Sequence, residues 1–242
     1  MKNPGKPEGD YMTMPVHHKI SGSSRPGRPW RRPSVTLSLI LPLLVALLLS
    51  GCGKPPVLIN RYILEYAPPV LPRLPQLDTG IKVALFAVDE TINRQEMVYQ
   101  ANPYRTGTYW YNRWRVNPGY LVTDYLTRDL GDSRLFKAVF SHDSSGPARF
   151  RLEGGVVEFQ ENDTPGLWHA ALTLNITLLD TDQENIADRV MFQRSYRTQE
   201  PMSTRTPPGL AAALSSAMQQ LSRQIIDDVY RAVQQRLGTP KG

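Results

Sequence analysis

Few residues of this 242-residue chain could do chemistry in combination. His142-Asp143-Ser144 supplies the three residue types of a nucleophilic triad. A triad needs three groups converging in space, which three consecutive loop residues cannot provide. The other histidine downstream of residue 52 is His169, in a stretch that reads as a strand. Asp180, Asp182 and Glu184 alternate as calcium ligands do, but no glycine-centred loop follows, and the run reads as a solvated acidic turn. No Gly-rich phosphate loop and no His-x-x-x-His pair occurs. The expectation is a non-enzymatic chain with no metal and no cofactor.

The one cysteine, Cys52, is the more telling residue. Alone it can form no intramolecular disulfide and no cysteine-based metal cluster. It follows Leu49-Ser50-Gly51, one aliphatic and two small residues, and these close an apolar run from Val35 to Ser50. That run is shorter than the roughly 20 residues a spanning helix needs. Before it lies a basic stretch ending in Trp30-Arg31-Arg32. Basic, then briefly apolar, then small is the order of a secretory signal peptide. The last four residues resemble a lipobox, which predicts cleavage between Gly51 and Cys52 and acylation of the Cys52 thiol. Two or more acyl chains hold a protein stably on a membrane, where one holds it only marginally. Gly53 rather than Asp after the cysteine favours the outer membrane, facing the periplasm, with inner-membrane anchoring as the alternative. The long n-region leaves Met12 and Met14 as other possible starts.

The cut changes the meaning of the charge. The chain is formally +6, but residues 1–51 carry seven Lys/Arg and two acids. Subtraction leaves 28 − 7 = 21 bases and 22 − 2 = 20 acids for residues 52–242, close to neutral. The electrostatic case for nucleic acid therefore disappears with the leader.

One further segment stands out. Thr108–Val116 contains Tyr109, Trp110, Tyr111, Arg113 and Trp114. It reads as an amphipathic strand whose Trp residues enter the core while Tyr and Arg face water. The alternative is an exposed patch for a protein partner, because Trp, Tyr and Arg dominate interface hot spots. Contact with anionic lipid headgroups or nucleic acid is a third reading. Those five residues are the candidate partner contact.

The elements that must position them follow from pattern. Residues 52–80 read as the lipidated N-terminus, a Pro-rich tether and a first strand within Ile59–Tyr66. Residues 81–242 continue as one domain. Ile81–Val88 is apolar on both faces and predicts a central, doubly covered strand. Met97–Gln100 is a short strand, with Asn102-Pro103 and Gly107 marking a turn. Asn117-Pro118 caps a helix carrying Leu121, Val122, Tyr125, Leu126 and Leu130, with Gly131 as its stop. Strands follow at Phe136–Phe140, at Arg149–Gln160 with a bulge at Gly154-Gly155, at Leu167–Leu179 and at Asp188–Thr198. Thr206 caps a long helix with a Leu210, Leu214, Met218, Leu221, Ile225, Val229 and Val233 stripe, closed by Gly238 and Pro240. The order predicts an α+β fold: a mixed, largely antiparallel sheet with two helices packed on one face.

Taken together, these features resemble the ABC-type transport auxiliary lipoproteins, which accompany MCE-type (mammalian-cell-entry) lipid transporters, including the Pqi system. The resemblance rests on order over most of residues 57–237: the lipobox, then Tyr62-Ile63-Leu64, the strand Ile81–Val88, Met97-Val98-Tyr99, Arg113-Trp114 leading into the Pro118 helix, Leu135-Phe136 before Val139, the antiparallel strands and the terminal helix. The aromatic-rich Asn102–Tyr111 stretch departs from it. The resemblance implies a non-catalytic accessory subunit on the outer membrane, docking an MCE-domain conduit protein. A different envelope-assembly lipoprotein, aiding lipopolysaccharide insertion or activating a cell-wall synthase, is the alternative.

Overall fold

The computed structural model describes residues 56–164 and 167–238. Gly51, Cys52 and the leader lie outside them. Among the described residues one mixed sheet holds β1 (Asn60–Tyr62), β2 (Leu77–Val83), β3 (Ala87–Val88), β4 (Glu96–Asn102), β5 (Arg105–Trp114), β6 (Phe136–Phe140), β7 (Phe150–Thr164), β8 (Leu167–Asp180) and β9 (Val190–Pro201). The helices are α1 (Pro118–Ser133), the single turn α2 (Ile186–Arg189) and α3 (Pro207–Gly238).

Strand β7 organises the sheet. Along one edge it runs antiparallel to β8 from Phe150↔Asp180 to Thr164↔Leu167, and β8 in turn pairs with β9. Its other edge takes three short parallel strands in succession: β2 at Ile81↔Phe150, β3 at Ala87↔Gly155 and β4 at Tyr99↔Glu161. The sheet therefore forks. One branch continues from β2 to β6, the other from β4 through β5 to β1. Most paired residues lie in the antiparallel ladders, so the expected α+β fold with a mixed, largely antiparallel sheet is the one observed.

The covered face is built from alternation. On β8, Ala170, Leu172, Leu174, Ile176 and Leu178 are all buried, as period-two spacing requires. Helix α3 lies on β8 and β9 and buries its whole predicted stripe from Leu210 to Val233. Fully buring apolar side chains of this size stabilises by roughly 1.5–3 kcal/mol each. Helix α1 packs beside it on β6 and β7, with Leu121, Val122, Leu126 and Leu130 inward. Its start is as predicted: the Asn117 side chain accepts from the Gly119 amide at 2.9 Å, and Pro118 takes the first turn. Thr206 likewise caps α3, its hydroxyl accepting from the Gly209 amide at 3.2 Å.

From Tyr62 onward the proline-rich segment is held as a strap across both helices. Leu64 is buried, the Glu65 amide donates to Ser215 Oγ at 2.9 Å, and Tyr230 donates to the Pro75 carbonyl at 2.9 Å. Tyr66 stacks on Tyr125 with the Arg128 guanidinium 4.5 Å from both rings. Its hydroxyl donates to the buried Asp129, which also accepts from Ser222 of α3 at 2.6 Å. Burial and the Asp129 charge raise the Tyr66 phenol well above its usual range, so it stays a donor.

Several expected boundaries move, each for a local reason. The Ile81–Val88 strand is not continuous and not covered on both faces. It begins at Leu77, breaks at residues 84–86 and leaves Leu85 and Ala87 exposed. The break turns Phe86 inward, its amide donating to Thr123 Oγ1. Gly131 does not stop α1, which runs on to Ser133; Arg134 takes the left-handed conformation at φ 55° and donates to the Gly131 carbonyl at 3.2 Å. The β7 bulge falls between Val156 and Glu158, not at the glycines. Gly154 instead makes room: a Cβ there would lie 2.3 Å from the Phe86 ring and 2.7 Å from the Asn175 carbonyl. Gly107 lies within β5, not in the turn, under the Tyr99 ring. The segment Asp188–Arg189 belongs to the short helix α2, and β9 starts at Val190.

Candidate functional site

The five aromatic and cationic residues of β5 do not act as one group. Trp114 is core, 1% exposed, with its ring edge-on to Phe159 at 4.9 Å. Arg113 pairs with Glu96 at 3.1 Å, and its Nε is buried without a hydrogen-bond partner. Tyr109 is half-buried and donates to Glu161 at 2.8 Å. Burial first, then the Glu161 hydrogen bond and charge, push the Tyr109 phenol well above its usual value. By contrast, Trp110 is 73% and Tyr111 55% exposed.

The backbone explains the split. Met97 of β4 pairs with Tyr109, but its neighbour Glu96 pairs with Arg113. One step on β4 thus matches four on β5, which leaves Trp110, Tyr111 and Asn112 without β4 partners. A bulge of this kind bends its strand and re-aims side chains out of the pleat. Asn112 is recovered by the edge strand β1, where it pairs with Asn60 and accepts from the Tyr62 hydroxyl at 3.2 Å. Trp110 and Tyr111 are left standing off the sheet.

Around them lies a surface groove of about 680 Å³ lined by Tyr99, Arg105, Tyr109, Trp110, Tyr111 and Arg205, among others. Arg205 comes from the loop before α3. It pairs with the buried Glu161 at 3.4 Å and with Asp163, and its guanidinium lies 5.5 Å from the Trp168 ring centroid. Two hairpin tips end nearby: Tyr104 of the β4–β5 turn is 98% exposed, and Leu167 and Trp168 open β8 with exposed side chains. Sequence reasoning missed Tyr104, Leu167, Trp168 and Arg205. The available signal was position, since Tyr104 follows Asn102-Pro103 and Leu167-Trp168 follow Pro165-Gly166, both turn formers.

The other candidate chemistry does not assemble. His142 lies edge-on to Tyr120 at 5.9 Å, Asp143 accepts from Ser141, and Ser144 offers its carbonyl to Lys82. His169 sits on β8 opposite Asn162. The acidic turn is only partly solvated. Asp180 is buried, bound by Arg149 Nε and Nη2 at 2.9 Å each and by Arg236 at 3.3 Å. Guanidinium groups thus take the carboxylate that a cation would need. Burial alone would raise the Asp180 carboxyl, but the hydrogen bonds and charge of Arg149, with Gln183, hold it at about 2. Among the described residues no group of three or more His, Cys, Asp or Glu is placed to hold a metal, and no helix is long and apolar enough to cross a membrane.

The model of the ABC-type transport auxiliary lipoprotein component family matches residues 62–226, from the start of the strap into α3. The chain belongs to that family. This auxiliary lipoprotein also resembles solved structures. Protein XCC0632 from Xanthomonas campestris, of family DUF330, is 21% identical, with a TM-score of 0.66, covering 74% of this chain and all of that one. A second, described only as an uncharacterized protein, is 14% identical with a TM-score of 0.56, covering 71% of this chain and 99% of that one. At these identities the likeness is one of fold. Among curated proteins no sequence matches. The family match includes β5, its bulge and the strap, so the exposed Trp110–Tyr111 pair sits inside the auxiliary-lipoprotein domain and not in an appendage to it.

Proposed function

We propose that this protein is the non-catalytic accessory subunit of an ABC-type lipid transport system, acylated on Cys52, anchored in the outer membrane and facing the periplasm. Its partner is the MCE-domain protein that forms the periplasmic conduit, which it docks at the membrane. Membership of the auxiliary-lipoprotein family carries this reading. Two observations support it. The triad letters His142, Asp143 and Ser144 lie in one loop with separate partners, the Ser144 hydroxyl accepting from the Gly146 amide, which gives no support to a nucleophile–base pair. The strap from Tyr62 fixes the N-terminal chain to the domain, so an anchor at Cys52 would hold the whole fold close to the bilayer. Of the segment expected to contact a partner, Trp110 and Tyr111 are the members free to touch anything outside the domain.

The test is affinity purification of the tagged full-length protein from detergent-solubilised native membranes, with radiolabelled palmitate supplied during growth. The expected result is label on the wild type, none on Cys52→Ser, and recovery of an MCE-domain protein with its permease and ATPase. Recovery of lipopolysaccharide-insertion or cell-wall synthase proteins instead would replace the transport reading with the envelope-assembly one.

A further inference from the structure

The entering chain lies beside the Trp110–Tyr111 bulge, and a groove runs from that bulge to Arg105 at one hairpin tip and Arg205 near the other. Strand β4 runs parallel to β7, so the β4–β5 tip at Tyr104 and the β7–β8 tip before Leu167 point the same way. The groove brings Trp110 and Tyr111 together with Arg105 and Arg205, and Arg205 reaches Trp168. Among the described residues the exposed large aromatics are Tyr104, Trp110, Tyr111, Trp168 and Tyr120, and all but Tyr120 lie on the bulge or at the two hairpin tips. Such a grouping is not the random scatter of a soluble surface.

The chain's own covalent route selects the occupant. Strand β1 lies against β5 with Asn60 beside Asn112, in parallel, so Ile59 and Leu58 approach alongside Tyr111 and Trp110. Val57, Leu58 and Ile59 are themselves exposed. Cys52 precedes Asn60 by eight residues, which fully extended span at most about 29 Å. The acyl-bearing residue is therefore tethered within that distance of Asn60, on the strand that lies beside the bulge. Tyrosine and tryptophan favour the headgroup level of a bilayer, where an apolar ring and a polar edge are both satisfied. Arg105 on β5 is exposed beside the groove, placed to meet lipid phosphates.

We infer that this end of the domain is a membrane-contact face: Trp110, Tyr111, Tyr104 and Trp168 seat in the headgroup region of the bilayer that holds the acyl chains. The face would orient the domain, presenting the opposite end to the periplasm. It rests on the proposed acylation of Cys52 but not on the identity of the transported lipid or the conduit.

The test uses the processed full-length protein, purified from membranes and reconstituted into vesicles of phosphatidylethanolamine and phosphatidylglycerol, with lipids brominated near the headgroup end of the acyl chain as quencher. In a Trp168→Phe background the processed chain keeps Trp110 and Trp114. Brominated lipid should remove part of the emission and leave a blue-shifted remainder. Adding Trp110→Phe should abolish the quenched part, because Trp114 is shielded in the core. An unchanged melting midpoint in both variants confirms that the fold is intact. Protein that floats with the vesicles while Trp110 emission ignores brominated lipid overturns the contact face but leaves the anchor standing. Quenching equal with and without Trp110 also overturns it. Shielding of Trp110 that appears only on adding the conduit protein assigns the patch to a protein partner instead. Failure to float at all overturns both the Cys52 anchor and the face built on it.

Discussion

Trp110 and Trp114 stand four residues apart on one strand, yet one is 73% and the other 1% exposed. In an unbroken strand they would share a face, because side chains alternate with period two. The ladder decides between them. At Trp114 both edges are in register: Tyr62 of β1 lies opposite, and the Trp114 amide donates to the Gln95 carbonyl at 2.7 Å. At Trp110 the β4 partner is missing, because the register has slipped by three residues. Alternation thus predicts burial only where pairing is continuous. The same contrast separates the two halves of the sheet. Along β8, paired on both edges, every second residue from Ala170 to Leu178 is buried; the β4–β5 branch has irregular register at both its ends.

The contrast breaks most visibly at Trp114. Replacing it by alanine leaves a cavity beside Phe159, and large-to-small changes of this kind cost about 3–5 kcal/mol. Equilibrium denaturation of Trp114→Ala should show a loss of that size. A loss below about 1 kcal/mol would mean that the bulge end collapses readily and that the branch is not true core.

In the long-ladder half the largest single polar effect lies at Asp180. Its carboxyl is held at about 2 against an ordinary 3.8. The folded value is the depressed one, so the stabilisation is fully present above the ordinary value and is lost as pH falls towards 2. The difference corresponds to about 2 kcal/mol. Stability followed between pH 5 and pH 2 should fall in that window, and the fall should shrink in Asp180→Asn. An acid profile identical in the two proteins would show that another carboxylate controls it.

These two halves were also unequally legible. The β8 face, the α3 stripe and the Asn117 and Thr206 caps follow from periodicity and from one-residue chemistry, and the structure repeats them. The bulge does not follow, because register is a property of two strands and a sequence shows one at a time. For the same reason neither reading of Tyr109, Trp110, Tyr111, Arg113 and Trp114, as an amphipathic strand with both Trp residues buried or as a single exposed patch, is the arrangement observed, because partners 17 to 52 positions away, at residues 96, 159 and 161, divide them. Asp180 looked like a solvated turn because Arg149 and Arg236 approach it from other elements. The Asp129 knot was invisible for a similar reason: Tyr66 and Ser222 lie far from it in the chain.

A smaller effect tests the junction that follows Trp114. Asn117 caps α1 and also donates through its side-chain amide to Asn93 at 2.7 Å. Loss of an N-cap costs about 1 kcal/mol. Asn117→Ala should lower stability by that amount, with hydrogen exchange quickening at the first turn of α1. Exchange that quickens equally at Trp114 would show that the cap also holds the end of β5.

The smallest expected effect is at the other tryptophan. Trp110→Ala, alone or with Tyr111→Ala, removes large side chains that the fold barely touches. Surface changes of this kind stay within about 0.5 kcal/mol, and removing exposed apolar area can raise solubility. Set against several kcal/mol at Trp114, that near-zero value is the sharpest form of the comparison. A loss above about 1 kcal/mol at Trp110 would mean that the bulged side chain packs on the domain in solution, and that Trp110 is held for folding and not for contact. A negligible loss combined with a changed membrane or partner association places the cost of exposing Trp110 and Tyr111 on the side of function, because the fold gains nothing from keeping them there.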